Sequence, residues 1–209
     1  MRTFLLSFGM LLLCMHAIAQ PQEEVDYLVT VHTPYGPIKL LLFEDTPAHR
    51  ENFLTLAKAG AYDHIPFHRV INHFMIQTGD YTKRNRPLDY DPSIVKPSVE
   101  AEIRPHYAHH RGMIGAARRG NDQNPQKRSS GSQFYIIQGH KGAHHLDEEF
   151  TLFGQVMSGM HVVDSIAQVP TNSKDVPLKD IRITMEVDTV LKSEVKQFYN
   201  YQYPEERKE

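Results

Sequence analysis

Residues 67–80 read Phe-His-Arg-Val-Ile-Asn-His-Phe-Met-Ile-Gln-Thr-Gly-Asp, and this stretch holds two short apolar runs on either side of an Asn-His pair. Short apolar runs that end at Asn, Gly, Asp or Pro are typical of β-strands. Three more runs of this kind follow at 112–117, 134–138 and 152–156. The sequence therefore predicts a protein built mainly from short strands.

The segment before this stretch predicts a hairpin and a helix. Residues 27–33 and 38–43 are rich in β-branched and apolar residues, and the Pro-Tyr-Gly-Pro between them is a turn sequence. Thr46 and Pro47 are typical of a helix start, with Thr46 as the N-cap and proline in the first turn. Apolar residues then recur at helical spacing until Gly60, which predicts a helix of about 13 residues.

The segment after it predicts a second helix at 160–169 and a final strand at 181–191. Two long polar stretches, 81–110 and 120–130, interrupt the pattern and are predicted to be surface loops. Long loops in a compact domain are more often functional than structureless, so both are candidate walls of a binding groove. Many short strands with only two helices favour a closed or nearly closed antiparallel β-barrel.

Composition and charge exclude several classes of protein. The chain has 209 residues, 40% of them hydrophobic, and a formal net charge of -2, which is an ordinary globular composition and predicts one main domain. This balance gives no general electrostatic reason to bind nucleic acid or an anionic membrane. Cys14 is the only cysteine, so the chain can form neither an internal disulfide nor a zinc site with cysteine ligands.

The first 19 residues have the pattern of a secretory signal peptide. Arg2 gives a basic start, an apolar run covers 4–15, and Ala-Ile-Ala at 17–19 is a cleavage signature before Gln20. Cleavage there would leave a mature chain that starts with a short polar lead, 20–25, and contains no cysteine.

The leader predicts an exported protein without stable membrane insertion, because its apolar run is shorter than the roughly 20 residues of a membrane span. A bacterial periplasm is the favoured compartment, and secretion is an alternative. A lipid anchor through Cys14 is a further alternative, although the leucines before it do not fit the small residue that such a site needs.

Residues 67–80, followed by Gly-Ser-Gln-Phe-Tyr at 131–135, resemble the cyclophilin-type peptidyl-prolyl cis-trans isomerases. The Thr-Pro helix start at 46, Phe-Gly-Gln-Val at 153–156 and Gly-Met at 159–160 belong to the same resemblance. It implies a closed eight-stranded antiparallel β-barrel that is capped by two α-helices and carries a substrate groove on its outer face.

The resemblance places the isomerase domain at 26–191. Residues 192–209 then form a C-terminal tail that is rich in aromatic and charged residues. The sequence leaves open whether this tail is a docked extension or a disordered end.

The resemblance assigns catalytic positions to Arg69 and Gln77. A guanidinium fits the chemistry, because rotation about an amide bond costs about 18–20 kcal/mol while the nitrogen lone pair is delocalised. Arginine stays protonated and can donate a hydrogen bond to the prolyl nitrogen as it pyramidalises. Gln77 can hydrogen-bond a peptide carbonyl.

The resemblance also implies a set of substrate-binding positions. Their side chains are mostly apolar or aromatic and could hold a proline ring, while Gln133 could hydrogen-bond the peptide and Arg118 would present main-chain groups to it. The set is Phe74, Met75, Ala117, Arg118, Gln133, Tyr135, Leu146 and Phe150.

The chain departs from the family pattern at four places. Thr78 stands where a second glycine is usual, and Phe150 where many eukaryotic members have histidine. His145 stands where a tryptophan is common, which makes tight cyclosporin binding doubtful. Residues 123–128 lengthen the loop beside the groove and could alter the choice of substrate.

The leading hypothesis is an isomerase that accelerates X-Pro rotation in exported proteins during folding, as a monomer, without metal or cofactor. Its partners would be unfolded or partly folded polypeptides that contain proline. A proline-peptide binding module or chaperone with little turnover is the alternative. A metal-buffering protein is a third hypothesis, because the chain has 13 histidines, but the pairs at 109–110 and 144–145 lack ligand spacing and are predicted to be solvated.

Overall fold

The computed structural model describes residues 23–204, and in this part of the chain every predicted apolar run becomes a strand. The expected hairpin forms with Thr33 paired to Gly36, whose φ of +121° is accessible to glycine and strained for other residues. The described strands are β1 (Val25–Thr33), β2 (Gly36–Leu42), β3 (Arg69–Ile71), β4 (Met75–Thr78), β5 (Ser98–Val99), β6 (Met113–Ala116), β7 (Ser129–Ser130), β8 (Phe134–Ile137), β9 (Leu152–Ser158) and β10 (Thr184–Leu191).

Eight of these strands form one antiparallel sheet in the order β10-β1-β2-β9-β6-β8-β4-β3, and β5 pairs with β7 in a small second sheet. The prediction of an eight-stranded antiparallel sheet is confirmed. Closure of the barrel is not, because no strand pairing joins the end strands β3 and β10 within the described residues. The two segments that precede these end strands are nevertheless joined to each other, by an isolated bridge between Pro66 and Arg182 and by three backbone hydrogen bonds. Full closure stays a prediction.

The main core lies between this sheet and the two predicted helices, α1 (Pro47–Lys58) and α2 (Met160–Ala167). Phe53 of α1 packs its ring against Phe134 and Phe153 at centroid distances of 5.1 and 5.5 Å. Burying one large apolar side chain contributes about 1.5–3 kcal/mol, so this interface is a principal source of stability.

The start of α1 differs from the prediction in one respect. Pro47 opens the helix as expected, but the Thr46 hydroxyl donates to the carbonyl of Phe43 and caps no helical N–H. The carboxylate of Glu102 takes this role from a distant loop. It accepts the N–H groups of Ala48 and His49 at 3.1 and 2.9 Å and also bonds the His49 ring at 2.7 Å. A carboxylate at a helix N-terminus also interacts favourably with the helix dipole.

The C-terminal tail is docked as far as it is described, and it contains a helix that the sequence did not predict, α3 (Lys192–Tyr199). Tyr203 follows it into a small buried cluster with Leu41, Val195 and Tyr201, and its hydroxyl donates to the buried carboxylate of Asp26 at 3.0 Å. The Arg50 guanidinium bonds the same carboxylate at 2.5 Å. The expectation of two helices is therefore wrong: residues 23–204 contain three α-helices.

The predicted signal peptide, residues 1–19, lies outside the described residues. Among residues 23–204, no helix combines the length and the apolar character needed to cross a membrane.

Replacing Glu102 by alanine should destabilise the fold, because two N–H groups at the start of α1 and the buried His49 ring lose their shared acceptor. We expect a loss of about 1–3 kcal/mol in the free energy of unfolding, measured by urea denaturation. Glu100→Ala is the control, since Glu100 lies in the same loop with an exposed side chain paired to Arg128, and its loss should cost about 0.5 kcal/mol or less. Equal effects of the two variants would contradict the capping role.

Candidate active site

Strand register places the predicted catalytic residues on one face of the sheet. Arg69 on β3 pairs with Gln77 on β4, Gln77 pairs with Tyr135 on β8, and Tyr135 pairs with Gly115 on β6. Directly opposed residues project to the same face, and so do residues two apart along a strand, such as Met75 and Gln77. Residues distant in sequence are therefore brought into one row across four neighbouring strands.

A cavity of about 340 Å³ lies on this face. Nine of the ten predicted site residues line it, namely Arg69, Phe74, Met75, Gln77, Ala117, Arg118, Tyr135, Leu146 and Phe150. The tenth, Gln133, lies at its edge, where its side-chain oxygen accepts a hydrogen bond from the Gln77 amide at 3.1 Å. The structure thus brings all ten residues together, while their individual roles stay predictions.

The inner part of the cavity is apolar. Met75 and Tyr135 are buried and form its floor, and Phe74, Leu146 and Phe150 are partly buried around them. The rings of Tyr135 and Phe150 meet edge to face with centroids 6.1 Å apart. Such a pocket can accept a small apolar ring and hold it in a defined orientation.

Arg69 is the most exposed of the polar residues that line the cavity, and its side chain is 46% exposed. The nearest carboxylate is that of Asp175, at 3.9 Å from Nε and equally exposed. A surface pair of this separation binds weakly. The guanidinium therefore keeps donors available for a bound molecule.

Arg118 has the opposite environment, because its side chain is only 4% exposed. Its guanidinium carbon lies 4.5 Å from the centre of the Phe150 ring. Two of its nitrogens donate to Glu149, to the carbonyl and to the carboxylate, each at 2.8 Å. The sequence assigned a main-chain role to Arg118. That role stays a prediction, and the structure shows in addition that this side chain packs on the Phe150 ring.

A second cavity of about 560 Å³ adjoins the first and shares Gln77, Ala117 and Arg118 with it. Both predicted loops contribute to its walls, which include the cationic side chains of Lys96 and Arg119. The loop at 120–130 is held by its own hydrogen bonds, since the Asn124 side chain bonds both the N–H and the carbonyl of Arg128.

Two departures from the family pattern have clear structural consequences. Thr78 is fully buried, and its hydroxyl donates to the carbonyl of Pro66 at 2.9 Å, so it ties β4 to the chain ahead of β3. His145 is exposed, with its ring 5.5 Å from that of Phe74. The imidazole therefore occupies the rim of the apolar pocket.

Sequence reasoning missed His109, which it predicted to be a solvated histidine. The side chain is buried behind the cavity, with Nδ1 2.7 Å from the Asp147 carboxylate and Nε2 2.9 Å from the hydroxyl of Tyr135. Burial lowers the pKa of His109, while its bond to Asp147 acts in the opposite direction. The neighbouring His110 is exposed, so nothing in the local sequence distinguishes the two.

The third hypothesis, a metal-buffering protein, gains no support from the histidines among the described residues. Within residues 23–204, no three His, Asp or Glu side chains gather in a geometry that could hold a metal ion.

Comparison with known proteins identifies the family. Residues 28–187 match the family model described as cyclophilin type peptidyl-prolyl cis-trans isomerase/CLD. The chain is 39% identical over 163 residues to human peptidyl-prolyl cis-trans isomerase-like 3, a match that covers 74% of this chain and 94% of the relative. The protein of the same name from Dictyostelium discoideum is also 39% identical, over 155 residues, covering 73% of this chain and 89% of that one.

A solved structure agrees with these matches. The crystal structure of a cyclophilin type peptidyl-prolyl cis-trans isomerase from Cryptosporidium parvum, in the presence of the dipeptide Ala-Pro, superposes with a TM-score of 0.64 at 28% identity. The match covers 78% of this chain and 98% of that chain.

Replacing Arg118 by leucine should loosen Phe150 and weaken the binding of a blocked Ala-Pro peptide. We expect the Kd, measured by NMR titration, to rise about five- to tenfold, because the ring loses the cation that lies on it. Lys127→Leu is the matched control, since Lys127 bonds the same Glu149 carboxylate at 2.8 Å and is not among the residues lining the cavity. Equal increases of the Kd in both variants would show that pairing of the Glu149 carboxylate, rather than the contact with Phe150, controls peptide binding.

Proposed function

The chain belongs to the cyclophilin-type peptidyl-prolyl cis-trans isomerases, and we propose that it accelerates X-Pro rotation in exported proteins during their folding. The observation that carries the site assignment is the row of Arg69, Gln77 and Tyr135 across adjacent strands above one apolar cavity. The reaction is a rotation about one bond, so the site must bind the twisted amide more tightly than either planar isomer.

Arg69 supplies the electrostatic part of this preference. As the amide twists, the nitrogen lone pair leaves conjugation and becomes a hydrogen-bond acceptor. The guanidinium of Arg69, loosely paired to Asp175, donates to it at that moment. A guanidinium offers only donors, which suits a reacting atom that becomes an acceptor.

The apolar cavity supplies the positioning. Met75, Tyr135 and Phe150 hold the proline ring while the carbonyl before it turns, and Gln77 with Gln133 bonds the peptide backbone. If these effects together lower the barrier by about 7 kcal/mol, the rate rises on the order of 10⁵-fold. The two isomers are close in energy, so both directions are accelerated and the equilibrium is unchanged.

A second candidate function is a proline-peptide binding module or chaperone with little turnover. The cavity of about 560 Å³ beside the site favours it, because the loop at 120–130 there adds binding surface next to the proline pocket. The two functions differ in one measurable property, since a binding module would bind proline peptides without accelerating their isomerisation.

Replacing Arg69 by alanine should lower kcat/KM at least about tenfold, because the proposed donor to the prolyl nitrogen is lost, and should retain the fold, because the side chain is half exposed. The measurement is the rate of cis-to-trans exchange of a blocked X-Pro peptide by NMR, with the protein that starts at Gln20. Arg86→Ala is the control, since Arg86 is exposed and not among the residues lining the cavity.

Each outcome of this experiment distinguishes the candidates. Acceleration by the wild-type protein that falls in Arg69→Ala but not in Arg86→Ala supports the isomerase and the role of Arg69. Binding without acceleration supports the module. Equal rates for Arg69→Ala and wild type remove Arg69 from the mechanism.

Export is proposed from the leader, with the bacterial periplasm as the compartment. Expression of the full chain in a bacterial host should give a periplasmic protein whose first residue by mass spectrometry is Gln20. Leu12→Arg places a charge in the apolar run and should leave uncleaved precursor in the cytosol. A lipid-modified chain that starts at Cys14 would support the anchored alternative, and a cytosolic wild-type protein that retains residues 1–19 would contradict export.

A further inference from the structure

Tyr135 contributes more than an apolar wall, because its hydroxyl points away from the cavity to a buried histidine. Tyr135 is 5% exposed and His109 is completely buried. The phenol oxygen lies 2.9 Å from His109 Nε2, and the two rings are nearly parallel with centroids 6.1 Å apart. A buried hydrogen bond thus lies directly behind the floor of the proline pocket.

The direction of this bond follows from Asp147. Asp147 Oδ1 lies 2.7 Å from the backbone nitrogen of His109 and also 2.7 Å from its Nδ1. Asp147 Oδ2 lies 2.9 Å from Nδ1 of His144. A carboxylate only accepts, so Nδ1 of His109 carries the proton. In the neutral ring Nε2 is then an acceptor, and the Tyr135 hydroxyl donates to it.

The protonation states agree with this assignment. Burial lowers the pKa of His109 and raises that of Tyr135, so the imidazole is neutral and the phenol keeps its proton near neutral pH. Burial alone would raise the pKa of Asp147, but the hydrogen bonds from His109 and His144 lower it to about 2. Among the described residues, the other charged or titratable groups that face this set include His145, Arg118 and His110, whose ring lies 5.1 Å from that of His144.

Gly115 provides the space for this arrangement. It pairs with Tyr135 across β6 and β8, and a Cβ atom built on it would lie 2.2 Å from the ring carbon Cζ and 2.3 Å from the hydroxyl. The tyrosine ring therefore lies directly against the backbone at 115. Any side chain at this position would force the ring toward the cavity.

We propose that His109 is a positioning residue for the isomerisation: anchored by Asp147, it holds Tyr135 back against Gly115 and thereby sets the depth of the proline pocket. The inference rests on the proposed function, since it describes how one wall of that site is fixed.

The arrangement makes the pocket sensitive to acid. When His109 gains a proton, Nε2 becomes a donor, and the buried Tyr135 hydroxyl loses its acceptor. The ring must then move or leave a buried donor unpaired. We expect kcat/KM for a peptide without titratable groups to fall as the pH is lowered below the usual histidine value of about 6.5, toward the lowered pKa of His109.

The test compares His109→Asn with His144→Asn in the NMR exchange assay, at several peptide concentrations and from about pH 8 to about pH 5. His109→Asn should lose about tenfold in kcat/KM at pH 8, mainly through KM, and should lose the decline in acid. His144→Asn removes an exposed imidazole from the same carboxylate and should keep that decline. Tyr135→Phe combined with His109→Asn should be no worse than either single variant, because the pair acts as a unit.

A second measurement stays valid if His109→Asn does not fold. Nitrogen-15 spectra of the wild-type histidines at pH 8 should show His109 with a protonated Nδ1 and an unprotonated Nε2. A proton on Nε2 would overturn the proposal, as would a folded His109→Asn with the wild-type kcat/KM and the wild-type acid decline. If the wild-type protein accelerates no exchange, the proposed function fails separately, and a raised Kd of the blocked Ala-Pro peptide in His109→Asn would still support the positioning role.

Discussion

The antiparallel register across β3, β4, β8 and β6 is the constraint on which the site depends. Because Arg69, Gln77, Tyr135 and Gly115 are opposed in one row, their side chains share a face without any loop having to position them. A slip of one residue in any of these pairings would move that strand's contribution to the opposite face, where the core against α1 and α2 lies. The same pairings therefore define both the core and the row of side chains that lines the cavity.

The parts of this arrangement that could be predicted are those that follow from local pattern or from a long motif. The strands at 67–80 follow from apolar runs and their boundaries, and the ten site residues follow from the family resemblance that the same stretch carries. Periodicity alone would have placed Tyr135 in an ordinary core, since a buried strand residue on either face looks the same in sequence.

The parts that could not be predicted depend on partners distant in the chain. Glu102 caps α1 from more than fifty residues away, and the Tyr203 hydroxyl donates to the buried carboxylate of Asp26, near the other end of the chain, which the partly buried Arg50 also bonds. The burial of His109 depends on Asp147 and Tyr135. Short-range patterns contain no information on such pairs, and in each case a buried polar group is satisfied by one specific side chain.

The two arginines that line the cavity differ in how strongly their side chains are paired with carboxylates. This difference distinguishes a supporting role from the catalytic role that we propose. Arg118 is buried, bonded twice to Glu149 and placed on the Phe150 ring, so its donors are used and it acts as a fixed support. Arg69 is half exposed, and among residues 23–204 its one ion pair is with Asp175 at 3.9 Å, so its donors remain available for the catalytic role that we propose. Preorganised donors stabilise a transition state most when their position is fixed and their hydrogen bonds are not already made. The backbone of β3, paired to β4 and bonded through Val70 to Asp175, fixes the position of Arg69, and the weak side-chain pair leaves its charge available.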